Sequence, residues 1–304
     1  MPLFLGRVRT EAYHSLSKWT VRRQETSNER EATRDKKQAI CTKNLLVACR
    51  LLLVALSFLN GCASPYYNLA THREEWVLYT TDQEVSMGRK ISKQVEKHFK
   101  VWDEPAAQNR VSVIGQKLAE VCDRKELLYY FKVLDLKEVN AFSLPGGYIY
   151  VNRGLLEKVK NDDELAGVIA HEIGHIAARH AMKRLQSSLG YGLLQALAVG
   201  TRTSPEAVRG AQIAFTQIFL AYARGDELLA DRLAVQTMKR AGYDPYAMAS
   251  FLEKLKGILR EKPAAGTYVR THPYISDRIR VVHEEIEGKM RFQDYINIEE
   301  GNIQ

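Results

Sequence analysis

His171-Glu172-Ile173-Gly174-His175 is the stretch that decides how this chain is read. Two residues four apart lie about 40° from one another around a helix, one turn displaced. Both imidazoles can therefore hold one metal ion, with Glu172 beside the open coordination position. Attack of an activated water on a peptide bond needs that arrangement. Around the motif, Leu165, Val168, Ile169, Ile173, Ile176 and Ala177 take up most of the helical circumference, which predicts a central, buried helix. Asn161 is placed to cap it, Glu164 stands at the third position, and the pattern continues to about Leu185. Two histidines do not complete a site, so a third ligand has to come from another segment.

The metzincin pattern would place Gly at 178 and His at 181. Ala178 and Ala181 stand there and exclude that class. His180 follows His175 by five residues, roughly 140° around a continuous helix, and is expected to point elsewhere as a surface or supporting histidine. Downstream, Arg224-Gly225-Asp226-Glu227-Leu228-Leu229-Ala230-Asp231 puts Glu227 and Asp231 on one helical face. A carboxylate ligand followed one turn later by a carboxylate that orients an imidazole suits a His₂Glu zinc site. Spacing alone supports equally an exposed acidic first turn, which the helix dipole favours.

These separated motifs resemble the gluzincin family of the CAAX prenyl protease and its soluble bacterial relatives. The resemblance rests on His171 to His175 with Arg179-His180, on Arg224, Glu227, Ala230 and Asp231, and on Thr271-His272-Pro273 with Arg278. Asn140-Ala141-Phe142-Ser143-Leu144-Pro145-Gly146-Gly147 and Gly154-Leu155-Leu156 extend it, so that it covers about residues 80–285. Among family members, the periplasmic lipoprotein proteases are the most similar. The resemblance implies Glu227 as third zinc ligand and Asp231 as the carboxylate behind a ligand. It also implies an edge strand through Asn140, Ala141, Phe142, Ser143 and Leu144, to which an extended peptide adds by backbone hydrogen bonds. His272 matches a histidine near the metal that either restrains the resting site or assists the transition state. A plain histidine ahead of Pro273 is the competing reading. The chain ends soon after Thr271-His272-Pro273, so the C-terminal helical repeats of some relatives are not expected.

Outside the motifs, the expected organisation is one α+β domain over residues 81–290, mostly helical and of zincin type, with a small antiparallel sheet whose edge strand borders the cleft. Thr81-Asp82-Gln83-Glu84 reads as a capping box opening a helix to about Lys97, and a second helix is expected from about Ala106 to Val121. Tyr129 to Leu134, Val139 to Leu144 and Tyr148 to Val151 read as strands, with the Pro145-Gly146-Gly147 turn between the last two. Further helices are expected near 189–199, 205–222, 226–241, 245–259 and 275–288, and residues 62–80 and 291–304 read as tether and tail.

A formal charge of +8 does not point to nucleic acid, because residues 1–61 alone hold eleven Lys/Arg against five Asp/Glu, a net +6. The remaining 243 residues carry only +2. Within that leader, Leu51 to Leu59 is a nine-residue apolar run, too short to span a bilayer and bounded by Arg50. Leu59-Asn60-Gly61-Cys62 then resembles a bacterial lipobox, with Asn60 a departure from the usual small or β-branched residue. Lipidation of Cys62 would tether the domain at the cell envelope, with Ala63 favouring the outer membrane facing the periplasm. An uncleaved anchor and a mitochondrial presequence, which would place the protein at the inner membrane, are the competing readings. If the leader is removed, Cys122 is the one cysteine left beyond Cys62, which excludes an intramolecular disulfide. The function these readings predict is a zinc-dependent endopeptidase acting on unfolded or misassembled envelope polypeptides. A chaperone-like assembly factor and a purely structural zinc lipoprotein are the alternatives.

Overall fold

The computed structural model describes residues 64–289 apart from 69, 78, 189–204, 218–219 and 262–266. The leader 1–61, the lipobox Cys62, the helix expected near 189–199 and the tail 291–304 lie outside the described residues. Among those described, no helix is long and apolar enough to cross a membrane.

The described residues begin with an antiparallel hairpin, β1 (Ser64–Asn68) and β2 (Arg73–Val77). The hairpin lies within the stretch 62–80 that the sequence reads as a tether. Strand pairing supplies partners for its backbone, and Asn68 and Thr71 both donate to Glu75. α1 follows (Thr81–His98) and is capped one residue earlier than the sequence pattern suggested, by Thr80 with Gln83 as its box partner. Glu84 is unavailable for that role because it turns inward. Its two oxygens accept from Arg124 Nη1 at 2.9 and 3.0 Å, and Oε1 also accepts the Gly146 N–H. α2 (Pro105–Ala119) starts from a Glu104 cap with Pro at its first turn, where no N–H is missed.

β3 (Tyr130–Leu134), β4 (Ala141–Leu144) and β5 (Tyr148–Asn152) form one three-stranded sheet in the order β3-β5-β4. β4 runs antiparallel to β5, as the short Pro145-Gly146-Gly147 turn demands, with Gly146 at φ 74°. β3 is parallel to β5, so the sheet is mixed rather than wholly antiparallel. The link through 135–140 is what permits a parallel neighbour. The α+β class itself, mostly helical with a small sheet, is as read from the sequence.

α3 (Asp162–Ala177) is the central helix. The Asn161 side chain accepts from the Glu164 N–H at 3.0 Å, and every residue from Glu164 to Ala177 is buried. It ends at Ala177, well before Leu185, because Arg179 adopts φ 57° and breaks the helix. A separate helix then runs through 180–188. Beside a single turn at Arg153–Leu156, the remaining named helices among the described residues are α4 (Pro205–Gln217), α5 (Arg224–Ala241), α6 (Tyr246–Glu261), the short α7 (Thr267–Thr271) and α8 (Ile275–Glu287). α3 packs closely along α5, and both share one apolar core with α2, α6 and the sheet. Gly174 explains how close that packing is. A Cβ there would stand 2.8 Å from the Ala230 carbonyl oxygen and 3.1 Å from its Cα. The glycine inside the histidine motif thus brings in the helix that carries Glu227 and Asp231.

Candidate metal centre

Four elements converge on one buried point. α3 supplies His171, Glu172 and His175, α5 supplies Glu227 and Asp231, the turn after α7 supplies His272, and α8 supplies Arg278. His171, His175, Glu227 and His272 each offer one ligand atom, and those atoms lie within 4.8 Å of one another. None of the four is more than 1% exposed.

The donor spacing fits a tetrahedral cation. Ligands about 2.0–2.1 Å from zinc at the tetrahedral angle stand roughly 3.3–3.4 Å apart. Here His171 Nε2 is 3.0 Å from His175 Nε2 and 3.5 Å from Glu227 Oε2. His175 Nε2 is 3.4 Å from Glu227 Oε1, and His272 Nδ1 is 3.4 Å from His171 Nε2. Two buried carboxylate oxygens, Glu227 Oε2 and Glu172 Oε1, receive no hydrogen bond. Arg278 Nη1 comes within 3.1 Å of that Glu227 oxygen, near enough to attract it but misaligned for donation. Unsatisfied buried oxygens are costly, and a cation among the four donors would satisfy that of Glu227.

The groups behind the donors are as ordered as the donors. His171 Nδ1 lies 2.8 Å from Asp231 Oδ1, the relationship the sequence reading assigned to Asp231. Asp231 is fixed in turn by Arg278, which donates from Nε at 2.9 Å and from Nη2 at 2.8 Å. Glu172 accepts from Ser143 Oγ on β4 at 2.8 Å. The Tyr222 ring stacks on His175 at 4.0 Å, and the Tyr268 ring stacks on His272 at 4.6 Å. His272 stands between two carboxylates, its Nδ1 3.1 Å from Glu227 and its Nε2 3.4 Å from Glu172. His180 does not point away from His175, because the break at Arg179 removes the continuous helix. His180 is buried, with Nδ1 2.9 Å from His175 Nδ1.

Burial sets the protonation of these groups. It disfavours imidazolium at His171, as does Arg278, yet Asp231 and Glu227 outweigh both and hold that ring up at about 9. Burial pushes His175 well below the ordinary histidine range, with Glu227 offsetting only part. It likewise takes His180 down to about 4 against the pull of Asp226. For Glu227, burial opposes ionisation, but His272 and Arg278, with His171 and His175 close by, keep it well below the usual carboxylate range. Asp231 is lowered too, because Arg278 and His171 overcome its burial. The cluster thus sets two anionic carboxylates against a His171 ring that keeps its proton near neutral pH, with His175 and His180 neutral.

Of the sequence-read site residues, the structure brings together His171, Glu172, His175, Glu227, Asp231, His272 and Ser143. Asn140 stands beside them, its Oδ1 accepting from Thr271 Oγ1, while Ala141, Phe142 and Leu144 are buried along β4. Sequence reasoning gave no part to Tyr222 or Tyr268 and left Arg278 as a mere marker. Aromatic and basic residues without characteristic spacing carry no local signal of a distant ring or carboxylate.

A buried HExxH helix met by a glutamate from a second helix defines a gluzincin-type metallopeptidase domain. The chain belongs to peptidase family M48, whose model matches residues 105–286, well over half of it. It is 28% identical over 208 residues to the Beta-barrel assembly-enhancing protease of Yersinia pestis, covering 65% of this chain and 43% of the relative. It is 38% identical over 135 residues to the Mitochondrial metalloendopeptidase OMA1 of Arabidopsis thaliana, covering 44% of this chain and 27% of the relative. To the Metalloprotease LoiP of Escherichia coli (strain K12) it is 27% identical over 257 residues, covering 79% of this chain and 97% of the relative. The chain thus spans less than half the length of the assembly-enhancing proteases it matches.

Proposed function

We propose that this protein is a zinc-dependent endopeptidase that cleaves unfolded or misassembled polypeptides of the cell envelope, in a quality-control role. The observation that carries the reading is the Glu172 carboxylate. It is buried at the donor cluster, positioned through one oxygen by Ser143, and has its other oxygen undonated and turned toward His272. His171, His175 and Glu227 would hold the zinc. When bound there, zinc polarises the scissile carbonyl and makes a water acidic enough to attack near neutral pH. Glu172 accepts the proton released in that attack and returns it to the leaving amine. Asp231 accepts from His171 Nδ1, which leaves Nε2 as the nitrogen that would bind the metal once its proton is displaced. His272 is placed to donate to a developing oxyanion beside Glu172. β4 pairs with β5 on one side only, so an extended peptide would add along its other edge, over Asn140 to Leu144.

Lipidation at Cys62 would hold the domain at the envelope, at the outer membrane facing the periplasm. The names of the assembly-enhancing proteases support an envelope role, and the mitochondrial relative keeps the inner membrane of that organelle as the alternative. Mass spectrometry of the mature N-terminus separates the two. Glu172→Gln tests the mechanism. It should retain zinc and lose casein cleavage by about 10²–10⁴-fold, whereas unchanged cleavage would sink the role of Glu172.

One observation favours a second reading, a chaperone-like assembly factor whose proteolysis is latched. His272 presents Nδ1 among the donors, and the whole cluster is sealed from solvent. On that reading the wild-type protein and Glu172→Gln suppress aggregation of an unfolded client equally.

A further inference from the structure

We infer that His180 is a positioning residue for the metal ligand His175, accepting the Nδ1 proton of that ring and so fixing the tautomer that turns Nε2 to the metal. The inference rests on the metal reading above.

His175 has two ring nitrogens with different surroundings. Nε2 lies 3.0 Å from His171 Nε2 and 3.4 Å from Glu227 Oε1, so it is the nitrogen aimed into the donor cluster. A neutral imidazole that offers a lone pair at Nε2 carries its proton at Nδ1. The atom facing Nδ1 is His180 Nδ1 at 2.9 Å, and both rings are buried. Two nitrogens that face each other share one proton. His180 Nδ1 is therefore the acceptor, and the proton of His180 itself sits on Nε2, turned toward Asp226 Oδ1 at 3.4 Å.

The backbone is bent to make this contact. On a continuous helix, His180 would lie roughly 140° from His175. α3 instead ends at Ala177 and Arg179 takes φ 57°, a region that a residue with a Cβ occupies only when its surroundings hold it there. Glu84 at 3.7 Å and the Tyr79 ring at 5.6 Å lie against the Arg179 guanidinium at the bend. An ordinary buried histidine needs only some partner for each nitrogen. This one meets the outer nitrogen of a ligand, and it does so through a strained turn. The two helix histidines are thereby supported differently, His171 by the anionic Asp231 and His175 by a neutral ring.

The test compares His180→Asn with His180→Leu in the full chain, reading the zinc dissociation constant by chelator competition and the visible spectrum after Co²⁺ substitution. An asparagine oxygen can stand where Nδ1 stood and still accept, whereas leucine fills the space and cannot. Leucine should weaken zinc binding by about 10–100-fold and perturb the cobalt bands, and asparagine should recover most of the loss. If the two variants bind zinc as tightly as each other, the positioning role is overturned while the metal site stands. A wild-type chain that binds no zinc overturns the metal reading and this one with it. Nitrogen-15 spectra of the zinc-loaded wild type give a second measure that needs no variant. His180 should be the Nε2–H tautomer, and a proton on its Nδ1 would refute the inference.

Discussion

Gly174→Ala separates two physical effects that point in opposite directions. Within a helix, alanine is favoured over glycine by about 1 kcal/mol, so the change looks stabilising from the sequence. The structure reverses the sign. The new Cβ would stand 2.8 Å from the Ala230 carbonyl oxygen, and ordinary contact begins at 3.4 Å, so α3 and α5 must separate by about 0.6 Å. Overpacking of this kind costs about 1–3 kcal/mol, which leaves a net loss of roughly 0–2 kcal/mol after the propensity gain. The larger consequence falls on the metal centre. Glu227 sits one turn before Ala230 on α5, and metal–ligand distances tolerate only about 0.2 Å. Zinc affinity should therefore fall by at least about tenfold, more than the change in stability suggests. Urea unfolding of the metal-free protein and chelator competition for zinc measure the two quantities separately. A variant about 1 kcal/mol more stable than wild type, with unchanged zinc affinity, would refute the close approach and the argument built on it.

Zinc affinity should also fall with acidity. The metal-free His171 holds its proton up to about 9, and zinc must displace it. Affinity then drops about tenfold per pH unit from pH 8 to 6, and a flat profile in calorimetric titrations would contradict that assignment. The same raised value sets the sign of a stability effect. The contribution of the His171 proton is complete below its ordinary 6.5 and is lost as pH rises through about 9, so metal-free protein should lose that contribution across this window in thermal melts. The lowered Asp231 and Glu227 act oppositely, contributing above their ordinary 3.8 and 4.5 and failing on acidification. Arg124→Ala strands the buried Glu84 carboxylate and should cost about 3–5 kcal/mol in urea unfolding. A change below about 1 kcal/mol would mean that Arg179, 3.7 Å from Glu84, suffices alone.

The sequence by itself determined the local parts. His171 and His175 share a face because a helix repeats every 3.6 residues, and Asn161 caps that helix through a side chain three residues from its partner. Glu227 and Asp231 lie on one face of α5 for the same periodic reason. Relations across the fold were decided elsewhere. β3 is parallel to β5 because of the path taken by the link between β3 and β4, which alternation of side chains does not encode. Glu84 left the capping box to meet Arg124, forty residues away, because a buried carboxylate needs a cation more than a helix start needs a second cap. His180 is the clearest case. Helical periodicity sends it away from His175, and only the positive φ at Arg179, among its tertiary contacts, turns it back. Periodic geometry is local and can be read along the chain. The pairing of buried charges and of facing nitrogens depends on which surfaces meet, and tertiary packing alone settles that.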